Sequence, residues 1–193
     1  VGGRYALLYR HHGGAPPHRI NHRANMMALS RYAGAVIGIG SVGSLKRRIK
    51  PGTLVVPGDY LEFAPPTYHD QRIKHIVPYF DEVLRGRIIR AARKAKIKVV
   101  DGGVYAQTRG PRLETRAEVR LLADYADVVG MTVASEATLA QELGLGYAAI
   151  CSVDNMAHGL SGRPLDMEDV KANAARNRRR VEAILEALAG EGL

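Results

Sequence analysis

The sequence predicts an α/β protein in which a sheet is covered by helices, and three observations carry that prediction. Short apolar runs of strand length alternate along the chain with segments whose apolar residues recur at helical spacing. Polar residues cluster where the predicted strands end, which is where open α/β sheets receive ligands. The 193 residues, 46% of them hydrophobic, suffice for one sizeable core and leave little room for a second. A single domain over residues 1–193 is therefore expected. The alternation by itself does not set a strand order.

The first expected strand is Arg4-Tyr5-Ala6-Leu7-Leu8-Tyr9, with nothing before it in the sequence to supply a neighbour. An irregular His/Gly/Pro stretch, 11–19, leads to a helix over 21–33, where Ala24, Met27, Ala28 and Tyr32 fall at helical intervals. A buried strand over 36–40 then delivers a turn, Gly40-Ser41-Val42-Gly43-Ser44, whose small residues allow backbone to approach a ligand closely. After Pro51-Gly52 comes a strand over 53–57, and 63–70 reads as a loop around Pro65-Pro66. A surface helix is expected over 80–96, with an apolar stripe of Val83, Ile88, Ala91 and Ala92. Further along lie a strand over 98–106, a helix over 114–125, a short strand at Val128-Val129 and a helix over 135–143. A strongly apolar strand over 147–153 and, past a turn at 161–164, a long helix over 167–189 complete the pattern.

Charge and cysteine content narrow the function classes. With 28 basic and 19 acidic residues the formal charge is +9, which permits an anionic ligand or a nucleic-acid surface and selects neither. The arginines around helix 80–96 suit a polyanion or plain solvent. No aromatic interleaving or nucleic-acid motif accompanies them, so no nucleic-acid partner is expected. The single cysteine, Cys151, excludes an internal disulfide, a cysteine-based zinc site and CxxC redox chemistry, and a cytoplasmic location is the expectation. No apolar run approaches the roughly 20 residues that cross a membrane, and Arg10 interrupts the short amino-terminal run, so no membrane partner is expected.

Several residues can carry chemistry. Arg10-His11-His12-Gly13 offers a guanidinium and imidazoles to a phosphate or carboxylate, or else Arg10 pairs with a structural acid. Two adjacent histidines diverge and no third ligand stands at a recognisable spacing, so no metal site is expected. The turn at 40–44 offers backbone N–H groups and a hydroxyl to an anion but lacks the Walker A pattern. Gly130-Met131-Thr132 places a soft side chain and a hydroxyl together, equally explained by a core methionine and a helix cap. Glu114 can accept from a heterocycle N–H, and Asn155 has the donor and acceptor that a purine edge requires.

These blocks together resemble a known family. Arg10-His11, Asn21-His22-Arg23-Ala24-Asn25, Val42-Gly43-Ser44-Leu45, Pro51-Gly52, Gly110-Pro111-Arg112-Leu113-Glu114-Thr115-Arg116-Ala117-Glu118, Val129-Gly130-Met131-Thr132, Glu136 and Asn155-Met156-Ala157-His158-Gly159 stand in the order found in the trimeric purine nucleoside phosphorylases and methylthioadenosine/methylthioinosine phosphorylases. The resemblance covers nearly the whole chain. It implies a phosphorylase/hydrolase-like α/β fold, a mixed central sheet flanked by helices, in a homotrimer or a hexamer built as a dimer of trimers. It also implies subunit contacts that complete the pockets near Tyr68, His69 or His75.

What the resemblance implies for the site is specific. Arg10 and His11, with His12 as an alternative, would bind phosphate together with Ser41 and Thr132. Met131 would pack against ribose and Met167 against the 5′ group, where an apolar side chain favours methylthio over hydroxyl. Glu114 and Asn155 would recognise the base, and Leu113 stands where the family stacks a phenylalanine. Asn155 and Ala157 stand where methylthioadenosine enzymes carry aspartates, which points to a 6-oxopurine nucleoside or 5′-methylthioinosine. Asp154, where the family has threonine, is an alternative base-binding carboxylate, and methylthioadenosine phosphorolysis is the alternative activity. The implied reaction is phosphorolysis of an N-glycosidic bond with inorganic phosphate as co-substrate and no other cofactor. Family members begin with a strand and a Gly-Thr/Ser-Gly loop that the 193 residues do not include, so an amino-terminal strand and loop are expected to be missing. That feature and Leu113 leave open a weakened nucleoside-binding or structural homologue.

Overall fold

The computed structural model describes residues 5–162 and 166–190. Seven strands form one mixed sheet, β1 (Ala35–Ser44), β2 (Leu54–Val56), β3 (Asp59–Leu61), β4 (Val100–Asp101), β5 (Val104–Gln107), β6 (Val128–Gly130) and β7 (Gly146–Met156), in the order β3-β5-β6-β1-β7-β2-β4. Five helices flank it: α1 (His22–Ser30), α2 (Glu82–Lys94), α3 (Arg116–Tyr125), α4 (Val133–Glu142) and α5 (Met167–Ala189). This is the mixed α/β architecture that the sequence predicts.

The two long central strands, β1 and β7, run parallel from Ala35↔Gly146 to Ser44↔Met156, in unbroken register as far as Val42↔Val153. Both faces of β7 are covered, which is why its sequence reads as an apolar run without alternation. Tyr147, Ala149, Cys151 and Val153 join a core with Met26 of α1 and Val133, Ala137 and Leu139 of α4. Ala148 and Ile150 join the opposite core with Ile88 and Ala92 of α2 and Ile184 and Leu188 of α5. A third cluster packs Val119 and Leu122 of α3 against Ala106 and Val129.

Helix ends follow local chemistry. Thr115 Oγ1 accepts from the Glu118 amide while the Glu118 carboxylate accepts from the Thr115 amide, a reciprocal cap that starts α3 two residues after Glu114. Asp81 caps α2 by accepting from the Leu84 amide, and Asn21 caps α1 by accepting from Ala24.

Four expectations change. Residues 5–9 belong to no strand, and Leu7 and Tyr9 are exposed, because no strand of the sheet pairs with them. Arg4 lies outside the described residues, as do Arg163 and Pro164 of the turn expected at 161–164. The segment Gly40–Ser44, expected as a turn, is the end of β1, held extended by its ladder to β7. The single strand expected over 98–106 is two strands on opposite sides of the sheet, since Gly102 and Gly103 turn the chain with φ of 94° and 89°. Asp59–Leu61 forms an edge strand within a stretch with no apolar run long enough to announce it.

One irregularity prepares the site. The β1–β7 register shifts between Val42 and Gly43, so that Val42 faces Val153 and Gly43 faces Asn155. Asp154 is the residue skipped by this bulge, a device that re-aims side chains at the edge of a ladder.

Candidate active site

Beside the carboxyl ends of β1 and β7 lies a cavity of about 300 Å³, within the lower range of small-molecule sites. Its walls come from six separated stretches: Arg10, His11 and Pro17, then Ser41–Gly43, Leu113–Glu114, Val129–Thr132, Asn155, and finally Met167 and Val170 of α5. Nine of the residues singled out in the sequence therefore meet: Arg10, His11, Ser41, Leu113, Glu114, Met131, Thr132, Asn155 and Met167. His12 and Asp154 do not line it.

Arg10 is held in place by an acid. Its Nε donates to Glu136 Oε1 at 2.6 Å and its Nη2 to Glu136 Oε2 at 2.8 Å, while Nη1 donates to the Ile39 carbonyl. The pair is largely buried, with side chains 16% and 7% exposed. Tyr147 Oη also donates to Glu136 Oε2 at 2.6 Å, so the carboxylate is oriented by both faces of the core. Burial pushes the Tyr147 phenol well above its ordinary range, which keeps it the donor. His22 stands 3.9 Å from the same carboxylate, and burial lowers its pKa more than Glu136 raises it. Its Nδ1 is buried without a hydrogen-bond partner among the described residues.

Thr132 opens α4. Its hydroxyl makes no capping bond, because the amides of Thr132 and Val133 donate to Tyr105 Oη at 3.1 and 3.3 Å and the Ala134 amide donates to Gln107 Oε1 at 2.8 Å. The hydroxyl thus stays available to the cavity that it lines. His11 is oriented by a 2.8 Å contact between Nδ1 and the Ala15 carbonyl.

Glu114 is 6% exposed, and Thr108 Oγ1 donates to its Oε1 at 2.6 Å. Asn155 donates through one N–H of Nδ2 to the Met156 carbonyl at 2.9 Å, which fixes the amide orientation and leaves its second N–H as donor and its oxygen as acceptor. Met131 lies against Gly110, whose φ of 65° and lack of a side chain make room for the thioether. Leu113 and Met167 are 47% and 55% exposed.

Asp154 is 1% exposed and turned away from the cavity. Ser41 Oγ donates to its Oδ2 at 2.5 Å and Ser152 Oγ to its Oδ1. Burial raises its pKa, opposed by the hydrogen bonds from Ser152 and Ser41.

The sequence alone marks no role for Glu136, Tyr147 or His22. Glu136 and His22 stood inside the recognised blocks, but their convergence on Arg10 depends on packing between α1, α4 and the sheet. Among the described residues no cluster of three or more His, Cys, Asp or Glu could hold a metal, and no helix is long and apolar enough to cross a membrane.

The chain is similar to known proteins. The chain is 45% identical over 186 residues to a probable 6-oxopurine nucleoside phosphorylase of Archaeoglobus fulgidus, covering 94% of this chain and 76% of that protein. It is 44% identical over 179 residues to a probable S-methyl-5′-thioinosine phosphorylase of Methanothermobacter thermautotrophicus, covering 88% of this chain and 62% of that one, so it spans less than two thirds of the latter. The structure of methylthioadenosine phosphorylase from Schistosoma mansoni in complex with tubercidin superposes with a TM-score of 0.82 at 27% identity, over 95% of this chain and 75% of that one. The sequence matches the Phosphorylase superfamily over residues 2–189, and with that match and these relatives the chain belongs to the phosphorylase superfamily.

Proposed function

We propose that the cavity binds a purine nucleoside together with inorganic phosphate, and that the protein cleaves the N-glycosidic bond by phosphorolysis, releasing the free base and a ribose 1-phosphate derivative. The observation that supports this reading most is the convergence of six separated stretches on one cavity, bringing anion-binding and base-recognising side chains together. Arg10 keeps two N–H groups free of Glu136 and Ile39, enough to hold two oxygens of an anion. His11 and the Thr132 hydroxyl stand on the same cavity.

Phosphate attacks C1′ as positive charge develops on the ribose, and the anion itself stabilises that charge. Glu114 and Asn155 hold the purine as electrons move into it. The second Asn155 N–H donates to O6 and the Glu114 carboxylate accepts from the ring N–H, a combination suited to a 6-oxopurine. A 6-oxopurine nucleoside or 5′-methylthioinosine is the substrate favoured by this donor pattern and by the relatives' names. Met167 and Val170 present apolar surface to the cavity, which favours a methylthio group at the 5′ position. Methylthioadenosine is the second reading, supported by the Schistosoma mansoni enzyme.

The deciding experiment is a phosphate-dependent assay of inosine, guanosine, adenosine, methylthioinosine and methylthioadenosine with identification of both products. Phosphate-dependent release of hypoxanthine with a pentose 1-phosphate is the expected result. Base release without phosphate would show a nucleosidase, and tight nucleoside binding without turnover a weakened homologue.

A further inference from the structure

A serine hydroxyl has one proton to give and two lone pairs to offer. On the cavity wall Ser41 gives that proton to Asp154 Oδ2 at 2.5 Å, so it turns only lone-pair density toward whatever enters. An anion is repelled by that arrangement. The bond exists because the β7 bulge skips Asp154 and sets its carboxylate beside Ser41 of β1.

The other side of Asp154 is fixed in direction. Arg180 Nη1 donates to Asn177 Oδ1 at 2.9 Å, Asn177 Nδ2 donates to Ser152 Oγ at 2.9 Å, and Ser152 Oγ donates to Asp154 Oδ1. Asn177 is fully buried. A guanidinium can only donate, so this chain of bonds runs one way and ends on the carboxylate. The Ser41 end alone can reverse. A proton on Oδ2 would be donated to Ser41 Oγ, and the serine proton would swing to the cavity.

The groups facing Asp154 are Ser41 from β1, Ser152 from its own strand, and from α5 Asn177, which donates to Ser152 and also favours the charged carboxylate directly, and Asn173, whose amide donates to the Asp154 carbonyl at 2.9 Å. Arg180 reaches it only through Asn177 and Ser152. Arg10, His11 and Glu114 share the cavity with Ser41. No ion pair reaches the carboxylate among the described residues.

We propose that Asp154 is a positioning residue for the anion: a tetrahedral oxyanion such as phosphate enters beside Ser41 together with one proton from solvent, which Asp154 binds and presents to Ser41 so that the serine becomes a donor. The inference rests on the reading that this cavity holds phosphate. No covalent bond changes. The bound state holds one more proton, so affinity falls as pH rises above the pKa of Asp154 in the empty site, by up to about tenfold per pH unit.

Sulfate is the probe, because it remains a dianion from about pH 5 to about pH 8 and any slope then belongs to the protein. Calorimetric titration in buffers of different protonation enthalpy counts the protons taken up. Wild type is expected to take up as much as about one proton more per sulfate than Asp154→Asn, whose amide donates permanently to Ser41 while its oxygen accepts from Ser152. The variant should also hold sulfate more tightly than wild type at the alkaline end, about tenfold or more. Ser41→Ala removes the relay without touching the buried carboxylate and should lose the same proton, so it carries the test if Asp154→Asn does not fold. Equal proton counts in wild type and the folded variants overturn the proposal. Binding of neither sulfate nor phosphate at any pH, in wild type or variants, instead overturns the anion site itself.

Discussion

Arg10 has five N–H groups, and the fold spends three of them on Glu136 and Ile39 before any ligand arrives. Anchoring by an acid and binding of an anion, which are alternatives when only the sequence is read, are compatible at one guanidinium because its fork has two sides. Asn155 is held comparably, by its own bond to the Met156 carbonyl. Replacing its amide with a carboxylate sets acceptor against the O6 acceptor of a 6-oxopurine, a mispairing that costs about 1–3 kcal/mol. Asn155→Asp is therefore expected to lower kcat/KM for inosine relative to adenosine by about tenfold to a hundredfold. Steady-state kinetics on both substrates check this, and unchanged discrimination would place Asn155 outside base recognition. The residues that meet at the cavity were legible in the sequence, since nine of those singled out line it. Their partners were not, because Glu136 lies 126 positions from Arg10 and only folding brings them together.

At the scale of elements, two glycines let buried tyrosines reach across the sheet. A Cβ on Gly38 would stand 1.9 Å from Tyr147 Oη, and one on Gly130 would stand 2.5 Å from Tyr105 Oη. The first gap lets Tyr147 reach Glu136, and the second lets Tyr105 accept from the opening amides of α4. Gly38→Ala must displace the phenol, and overpacking of this kind costs about 1–3 kcal/mol. Loss of the Tyr147 bond also frees Glu136 to tilt. The expected outcome is a lower midpoint in denaturant unfolding together with weaker phosphate binding, whereas a change in stability alone would separate Tyr147 from the site. The apolar pattern of β1 announced a strand, but it could not show that the strand continues through the small residues at 40–44. Glycine and serine read as a turn until a parallel partner, β7, supplies their hydrogen bonds.

For the whole molecule, the segment between β3 and α2 exposes several large apolar side chains. Phe63 is 79%, Ile73 88% and Val77 82% exposed, and Tyr79 lies beside them. These residues flank Tyr68, His69 and His75, which the resemblance marks as subunit contacts. Association through this segment is expected, and light scattering across protein concentrations should give the mass of a trimer or hexamer. A persistent active monomer would reject a site that needs a neighbouring subunit. Cys151 gives a measure of integrity: it is fully buried, with its thiol pushed up to about 12, so a thiol reagent at mild alkaline pH should label it only on unfolding.

The sequence alone determined the alternation of strands and helices, because burial on one or both faces leaves a period in the apolar residues. It also singled out nine of the residues that line the cavity, through blocks that stand in a recognisable order. Strand order, the splitting of 98–106 into strands on opposite sides of the sheet, and the edge strand at 59–61 were decided by pairing between residues distant in sequence. The position of Asp154 was decided the same way. A one-residue bulge moves a carboxylate from the cavity to a buried bond with Ser41, and nothing in the local sequence marks where a ladder shifts its register.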